Sequence, residues 1–483
     1  MTALNSLQKL VLALGLCAAT TIASPGQTFK MLASFDGSNG GANPSSLAQG
    51  IDGAFYGTTV DRGANYLGTV FRVTRSGALT TLYAFCPQND CSSGRQPQAG
   101  LVLATDGNFY GTTPLGGKKG FGTVFKITAA GTLRTLYDFC QLSNCTDGSE
   151  PAAALVQGID GNFYGTTLVG GDNGYGTIFK VTSEGALTTL HSFNSADCAS
   201  PYELIQATDR NFYGMTNQGG ANNACRCGCG TVFRVTPKGA LTTLYNFDVT
   251  HGAQPVGGLV EATNGSFYGT TDAGGDGSSC SGGCGTVFKI TSAGALTTLH
   301  SFMGSDGTNP IGGLVQGTDG DLYGTTYFGG DLTCNNGPGC GTIFKMTPDG
   351  TLQLLHVFES SDGANPAARL LQATDGTFYG TTSEGGDYNC VGGCGTVFNL
   401  STGLSPFVSF VRGAAKAGQN FGILGQGLTG TTGVSLHGTP AKFTVKSKTL
   451  IIATVPARAT SGYVTVTTPS GALTSDVPFR IIP

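Results

Sequence analysis

At 483 residues the chain is long enough to bury a large core, yet only 11% of it is charged, against the ~25% usual for globular domains. A formal net charge of −4 without a basic patch excludes nucleic acid as a partner, and beyond the N-terminus no stretch approaches the ~20 apolar residues of a membrane-spanning helix. The 79 glycines and 15 cysteines instead suit a turn-rich fold stapled by disulfides outside a reducing compartment.

The chain begins with a single charge, Lys9, an apolar run from Leu10 to Ala19, and then Thr21-Ile22-Ala23. This pattern reads as a secretory signal peptide over residues 1–23, cleaved after Ala23. A lipoprotein reading on Cys17 is disfavoured because Leu16 stands where a small residue is needed. The mature chain is expected to be exported, to the cell surface or beyond it.

From residue 24 to 402 one unit recurs seven times, with its Tyr-Gly pair at Tyr56, Tyr110, Tyr164, Tyr213, Tyr268, Tyr323 and Tyr379. Each copy reads as four short strands. In the third copy these are Leu155 to Gly158, ended by Asp160-Gly161; Asn162 to Thr167; Thr177 to Thr182; and Leu187 to Phe193. Asp-Gly between apolar runs signals a hairpin, and period-2 alternation puts Thr177, Phe179 and Val181 on one face. The same alternation puts Leu187, Thr189, His191 and Phe193 together. A four-stranded unit of about 50 residues, repeated, predicts an all-β fold, a seven-bladed β-propeller.

The seventh copy ends after its third strand, Thr396 to Leu400, while Thr28 to Phe35 matches the missing fourth strand at the other end of the chain. The N-terminal strand is therefore expected to close the propeller, removing exposed sheet edges. A linear β-solenoid is the competing reading; it gives no reason for complementary ends.

The cysteines are spaced locally. Six pairs are expected: Cys86 with Cys91, Cys140 with Cys145, Cys225 with Cys229, Cys280 with Cys284, Cys334 with Cys340, and Cys390 with Cys394. Cys198 and Cys227 remain as a seventh, longer pair. Zinc at Cys225, Cys227 and Cys229 is the alternative, although Cys-x-Cys-x-Cys lacks zinc-finger spacing.

In an antiparallel blade the first-to-second and third-to-fourth turns share one face, and both are tight here. The longer connections, which hold the cysteines, lie on the other, where binding is expected. Tyr66, Tyr175, Tyr327, Phe328 and Tyr388 in these loops could stack on a ligand. Asp306, Asp362 and Asp147 also lie there; calcium could use such oxygens, but Asp-Gly and X-Pro turn chemistry accounts for them. No cofactor or metal site is assigned.

No catalytic motif is evident. His191, His300 and His356 occupy the fourth-strand position of Tyr83, Tyr137 and Tyr245 and read as packing residues, while Asp106, Asp160, Asp319 and Asp375 read as hairpin-turn residues.

The consensus Tyr-Gly-Thr-Thr, Gly-Gly, Gly-Thr-Val-Phe, from Tyr56-Gly57-Thr58-Thr59 with Gly68-Thr69-Val70-Phe71 to Tyr379-Gly380-Thr381-Thr382 with Gly395-Thr396-Val397-Phe398, closely resembles the GloVer tandem repeat of exported bacterial proteins. The fourth copy departs with Met215. The resemblance implies a surface or secreted protein; no activity transfers with it.

Residues 403–483 lose cysteine and alternate in short runs: Phe421 to Leu424, Gly433 to His437, Lys442 to Val445, Thr449 to Val455, Tyr463 to Thr467 and Val477 to Ile482. These predict a small β-sandwich. Gly425-Gln426-Gly427-Leu428, Val434 to Gly438, Ala453 to Pro456 and Gly462 to Val466 make it similar to the IPT/TIG immunoglobulin-like domain, which implies a spacer or interaction module. The sequence reading as a whole is a noncatalytic secreted or cell-surface binding or adhesion protein whose partner is a polysaccharide or a surface protein. The alternatives are a secreted polysaccharide hydrolase or lyase, and a structural envelope or matrix component.

Overall fold

The computed structural model describes residues 27–482 apart from 39, 88–90, 195–198, 223, 226, 277–278, 335–336 and 388; the expected signal peptide lies outside the described residues. The fold is all-β, with one short 3-10 turn, Ser143–Cys145, among the described residues. Seven antiparallel sheets follow the seven copies in chain order. In the third copy the strands are Val156–Gln157, Phe163–Thr167, Thr177–Val181 and Leu187–Ser192, adjacent in sequence order.

Each motif residue has a physical task in this sheet. Gly165 stands opposite Phe179 across the second and third strands, and a Cβ on it would lie 2.7 Å from the tip of that ring. Only glycine lets the phenylalanine pack down onto the sheet. The second threonine of Tyr-Gly-Thr-Thr faces the threonine of Gly-Thr-Val-Phe: Thr167 and Thr177 hold their hydroxyls 2.9 Å apart, both buried. The pair recurs in all seven copies. It gives each of these two buried hydroxyls a partner in the middle of an apolar interface.

The tyrosine bridges to the next sheet. Tyr56 stacks on Phe109 at 4.2 Å, Tyr110 on Phe163 at 3.9 Å, and Tyr323 on Phe378 at 4.0 Å. Tyr268 meets Leu322 in one apolar cluster, because the sixth copy has leucine at that position. Tyr379 of the seventh copy packs on Phe55 of the first at 4.1 Å. A second tie runs beside it: the Gln49 side chain of the first copy donates to Thr374 Oγ1 of the seventh and accepts from the Thr374 backbone N–H, as Gln372 does with Thr318.

The N-terminal strand, Thr28–Ser34, pairs antiparallel with Thr396–Ser401 and completes the seventh sheet. Phe35 at its end is fully buried against Phe71 of the first copy. Arg75 of the first copy pairs with Asp375 of the seventh.

One strand departs from simple alternation. The fourth strand shifts register between His191 and Thr189, which pair with Ile178 and Phe179, leaving Leu190 as the extra residue of a bulge. Leu187 therefore packs toward the second copy with Phe179 and Val181, while Leu190 and Phe193 pack toward the fourth. The expected common face for Leu187 and Phe193 is corrected by this bulge, and the equivalent shift occurs in the other complete copies.

Residues 403–482 form two four-stranded sheets and a short parallel pair, Ala414–Ala415 with Arg480–Ile481. Phe421, Ile423, Val434, Leu436, Ile451, Val464 and Val466 from both sheets share one core. The run expected over Val477 to Ile482 is a strand only at Arg480–Ile481, and Gly471–Thr474 is an additional strand.

Candidate functional site

The C-terminal unit sits on the first-to-second turns of the repeat copies. Thr449 Oγ1 donates to the carbonyl of Ile51 at 2.7 Å, Arg480 Nη1 to that of Ala207 at 3.0 Å, and Gln426 Nε2 to Thr374 Oγ1 at 3.0 Å. Arg412 donates to the carbonyl of Ile159. Copies one, three, four and seven are thus bridged at their turn end. The turn aspartates are occupied there as well: Tyr110 donates to Asp106 at 2.8 Å and Lys126 to the same carboxylate at 2.6 Å. Tyr323 and Lys345 treat Asp319 alike. Burial raises the Asp106 pKa, but hydrogen bonds from Lys126, Asn108 and Tyr110 outweigh it and hold the group at about 2. Tyr110, buried and facing that charge, is pushed up to about 12.

The loop end is cross-linked instead. Six expected disulfides are present: Cys86–Cys91, Cys140–Cys145, Cys225–Cys229, Cys280–Cys284, Cys334–Cys340 and Cys390–Cys394. Cys227 is exposed and free, and Cys198, its expected partner, lies outside the described residues. Bridging commits Cys225 and Cys229 to each other, so the alternative three-cysteine zinc site is not formed. The loop aspartates bind protein groups. Asp306 and Asp362 lie 2.8 and 3.0 Å from Nε2 of His300 and His356, and Asp147 accepts from Tyr137 at 2.7 Å. His300 and His356 therefore anchor loops through hydrogen bonds, beyond the packing role expected of them.

Between the two ends lies a cavity of about 720 Å³ lined by the first-strand segments of all seven copies, with Ser409 and Asp476 of the C-terminal unit at the turn end. Most of its wall is small or apolar. Arg369 of the seventh copy and Glu203 of the fourth meet in it, Nη2 to Oε2 at 3.0 Å, with side chains 26% and 30% exposed. Arg369 Nη2 also reaches the carbonyl of Leu259 at 3.4 Å, while its Nε is buried without a partner. Asp476 accepts from Ser409 Oγ at 3.2 Å, and burial pushes its carboxyl up to about 6.

The model of the Gloeobacter/Verrucomicrobia repeat matches residues 17–227, 140–331 and 226–444. The chain belongs to this repeat family. Comparison with curated protein sequences gives no significant match. Among solved structures, one described as the extracellular domain of a one component system from B. thetaiotaomicron is similar at a TM-score of 0.50 and 12% identity, over 93% of this chain and 48% of that one. The chain thus spans about half the length of that structure, and the likeness shows the fold alone. A fungal alcohol oxidase of the AA5 family, in complex with copper, gives a TM-score of 0.49 and 11% identity over 92% of this chain and 100% of that one.

Within the Gloeobacter/Verrucomicrobia repeat array the expected ligand aromatics are scattered. Tyr66 is 72% and Tyr175 41% exposed. Tyr327 and Phe328 contact each other edge-on at 4.6 Å and are half-buried, and Tyr388 lies outside the described residues. Among the described residues no ring contact joins Tyr66 or Tyr175 to the others, so these side chains do not form one cluster. Among the described residues no three His, Cys, Asp or Glu side chains converge on a point, and no helix is long and apolar enough to cross a membrane. Sequence reading missed Glu203 and Arg369. The signal was present: both immediately precede the leucine that opens the Tyr-Gly unit of their copy, where the other five copies have Ser46, Gly100, Ala154, Gly258 and Gly313.

Proposed function

We propose that the chain is a noncatalytic, exported binding or adhesion protein that works from the loop end, with a polysaccharide as its ligand and a surface protein as the alternative. In this reading the seven sheets are the blades of a closed seven-bladed β-propeller, with Thr28–Ser34 as the last blade's fourth strand. Residues 403–483 are an immunoglobulin-like sandwich of the IPT/TIG kind, seated on the turn face.

One observation carries the reading. The C-terminal unit occupies the turn end through copies one, three, four and seven, which leaves the disulfide-braced loops and the cavity mouth as the free face. Six disulfides support export to an oxidising compartment. Asp147, Asp306 and Asp362 and the histidines His300 and His356 are engaged with protein groups, which favours binding over hydrolysis, and the reading needs no cofactor or calcium.

The test is to incubate the oxidised chain with a panel of bacterial and plant polysaccharides, measuring retention and release of new sugar ends together. Retention without product is expected. Product release would replace this reading with a hydrolase or lyase, and neither signal would move it to a protein partner or a structural envelope role.

A further inference from the structure

The position before the opening leucine lines the cavity in every copy but the sixth. Five copies fill it with Ser, Gly, Ala, Gly and Gly, and two fill it with long, oppositely charged side chains. Those two, Glu203 and Arg369, come from copies far apart in the chain and meet in the cavity. Space for the meeting is made by the fifth copy: a Cβ on Gly258 would lie 2.2 Å from both Arg369 Nη2 and Glu203 Oε2. The repeat is therefore broken at two copies, at one point inside the cavity, and a third copy supplies a glycine where the two side chains meet.

We propose that this cavity is a pocket for a neutral sugar unit, held by hydrogen bonds to the Glu203–Arg369 pair; this deepens, and rests on, the binding reading above. The two charges neutralise each other, so an anion or a cation gains little net attraction. A zwitterion would have to separate a pair already made at 3.0 Å and desolvate four charges in doing so. A polyol leaves the pair intact and uses what it has spare. Arg369 Nη1 and Glu203 Oε1 make no hydrogen bond among the described residues, whereas Arg369 Nε is enclosed by protein and out of a ligand's reach. A planar donor set beside a planar acceptor matches adjacent hydroxyls, and hydrogen bonds to charged groups are the stronger kind. Ser409 and Asp476 add polar groups at the turn end, and Tyr202 adds an aromatic wall. A volume of about 720 Å³ falls within the ordinary range of small-ligand pockets. Since the C-terminal unit supplies the turn end, the sugar enters from the loop end, as the terminal unit of a chain would.

The experiment titrates the full mature chain with glucose, galactose, mannose, N-acetylglucosamine and their disaccharides, and with glycine and dialanine, by calorimetry. Two variants accompany it. Glu203→Leu with Arg369→Met removes both charges together and leaves no unpaired ion, and Ala154→Phe fills the cavity at the corresponding position while keeping the pair; thermal melts confirm that each folds. At least one sugar is expected to bind the native chain and to lose about ten- to hundredfold in affinity in both variants. Sugar affinity unchanged in both folded variants overturns the pocket, as does binding of glycine or dialanine with no sugar bound. If sugar affinity is unchanged in both variants while polysaccharide retention persists, the pocket fails and the loop-face reading stands. If the native chain binds neither polysaccharide nor sugar, both fail.

Discussion

At the turn end of the seven sheets the same contacts recur copy after copy, whereas at the loop end the copies divide into two kinds. The buried threonine pair brackets the loop between the second and third strands. Its members are 10 residues apart in copies one to three and 14 to 16 apart in copies four to seven. The longer loops are the ones that carry a disulfide, and its second cysteine immediately precedes the Gly-Thr of the third strand. In copies one to three that position holds Leu67, Phe121 and Tyr175, of which the last two are exposed. A longer loop loses more entropy on ordering, and the cross-link offsets that loss where the loop has grown. The lesson is a division of labour: the repeat chemistry fixes the sheets and their covered end, and the loops are free to vary because bridges rather than packing hold them.

The sharpest way to break this division is at the seam between the seventh and first copies. Phe35→Ala empties a fully buried site against Phe71 and is expected to cost about 3–5 kcal/mol in chemical denaturation, the largest effect of any single change named here. At the loop end, Cys334→Ser with Cys340→Ser opens a six-residue bridge and should cost about 2 kcal/mol by loop-closure entropy. Proteolysis should then begin in that loop while the sheets still melt as one unit. At the turn end, Tyr323→Phe removes the hydroxyl donated to Asp319 and should lower stability by about 1.5 kcal/mol with no effect on loop proteolysis. The smallest effect is conditional on pH. The Asp106 carboxyl sits near 2 in the folded chain, so its stabilisation is complete above the unfolded value of about 3.9 and disappears as pH falls through about 2. Asp106→Asn should therefore lower the melting temperature modestly at neutral pH, where the whole contribution is lost, and flatten the acid limb of the melting curve between about pH 4 and 2, so that variant and native chain converge at the acid end.

Much of this was legible in the sequence, for physical reasons that differ by element. The strands announce themselves through period-2 alternation, and the short cysteine spacings admit few partners. Thr28 to Phe35 could be matched to its sheet because it repeats the chemistry of a fourth strand, and it does pair with Thr396–Ser401. The bulge at Leu190 was not legible, since alternation carries no mark of an extra residue. Nor was the docking of the C-terminal unit. Thr449, Arg412 and Arg480 donate to backbone carbonyls of Ile51, Ile159 and Ala207, and a carbonyl has no letter in the sequence. Glu203 and Arg369 were hidden differently: each is a single departure from its siblings, and only their meeting across copies gives them meaning.

A working loop end and a covered turn end can be told apart directly. Cys227 offers a direct probe, being exposed and unbridged in the fourth copy's loop. A long polyethylene glycol chain coupled there would be compared with the same chain coupled at Ser470→Cys, an exposed turn of the C-terminal unit, in a Cys227→Ser background. The measurement is retention on the polysaccharide that the unmodified protein binds. The account predicts that modification at Cys227 abolishes retention and modification at position 470 leaves it intact. Retention lost only by modification at position 470 would contradict it and place the working surface on the C-terminal unit.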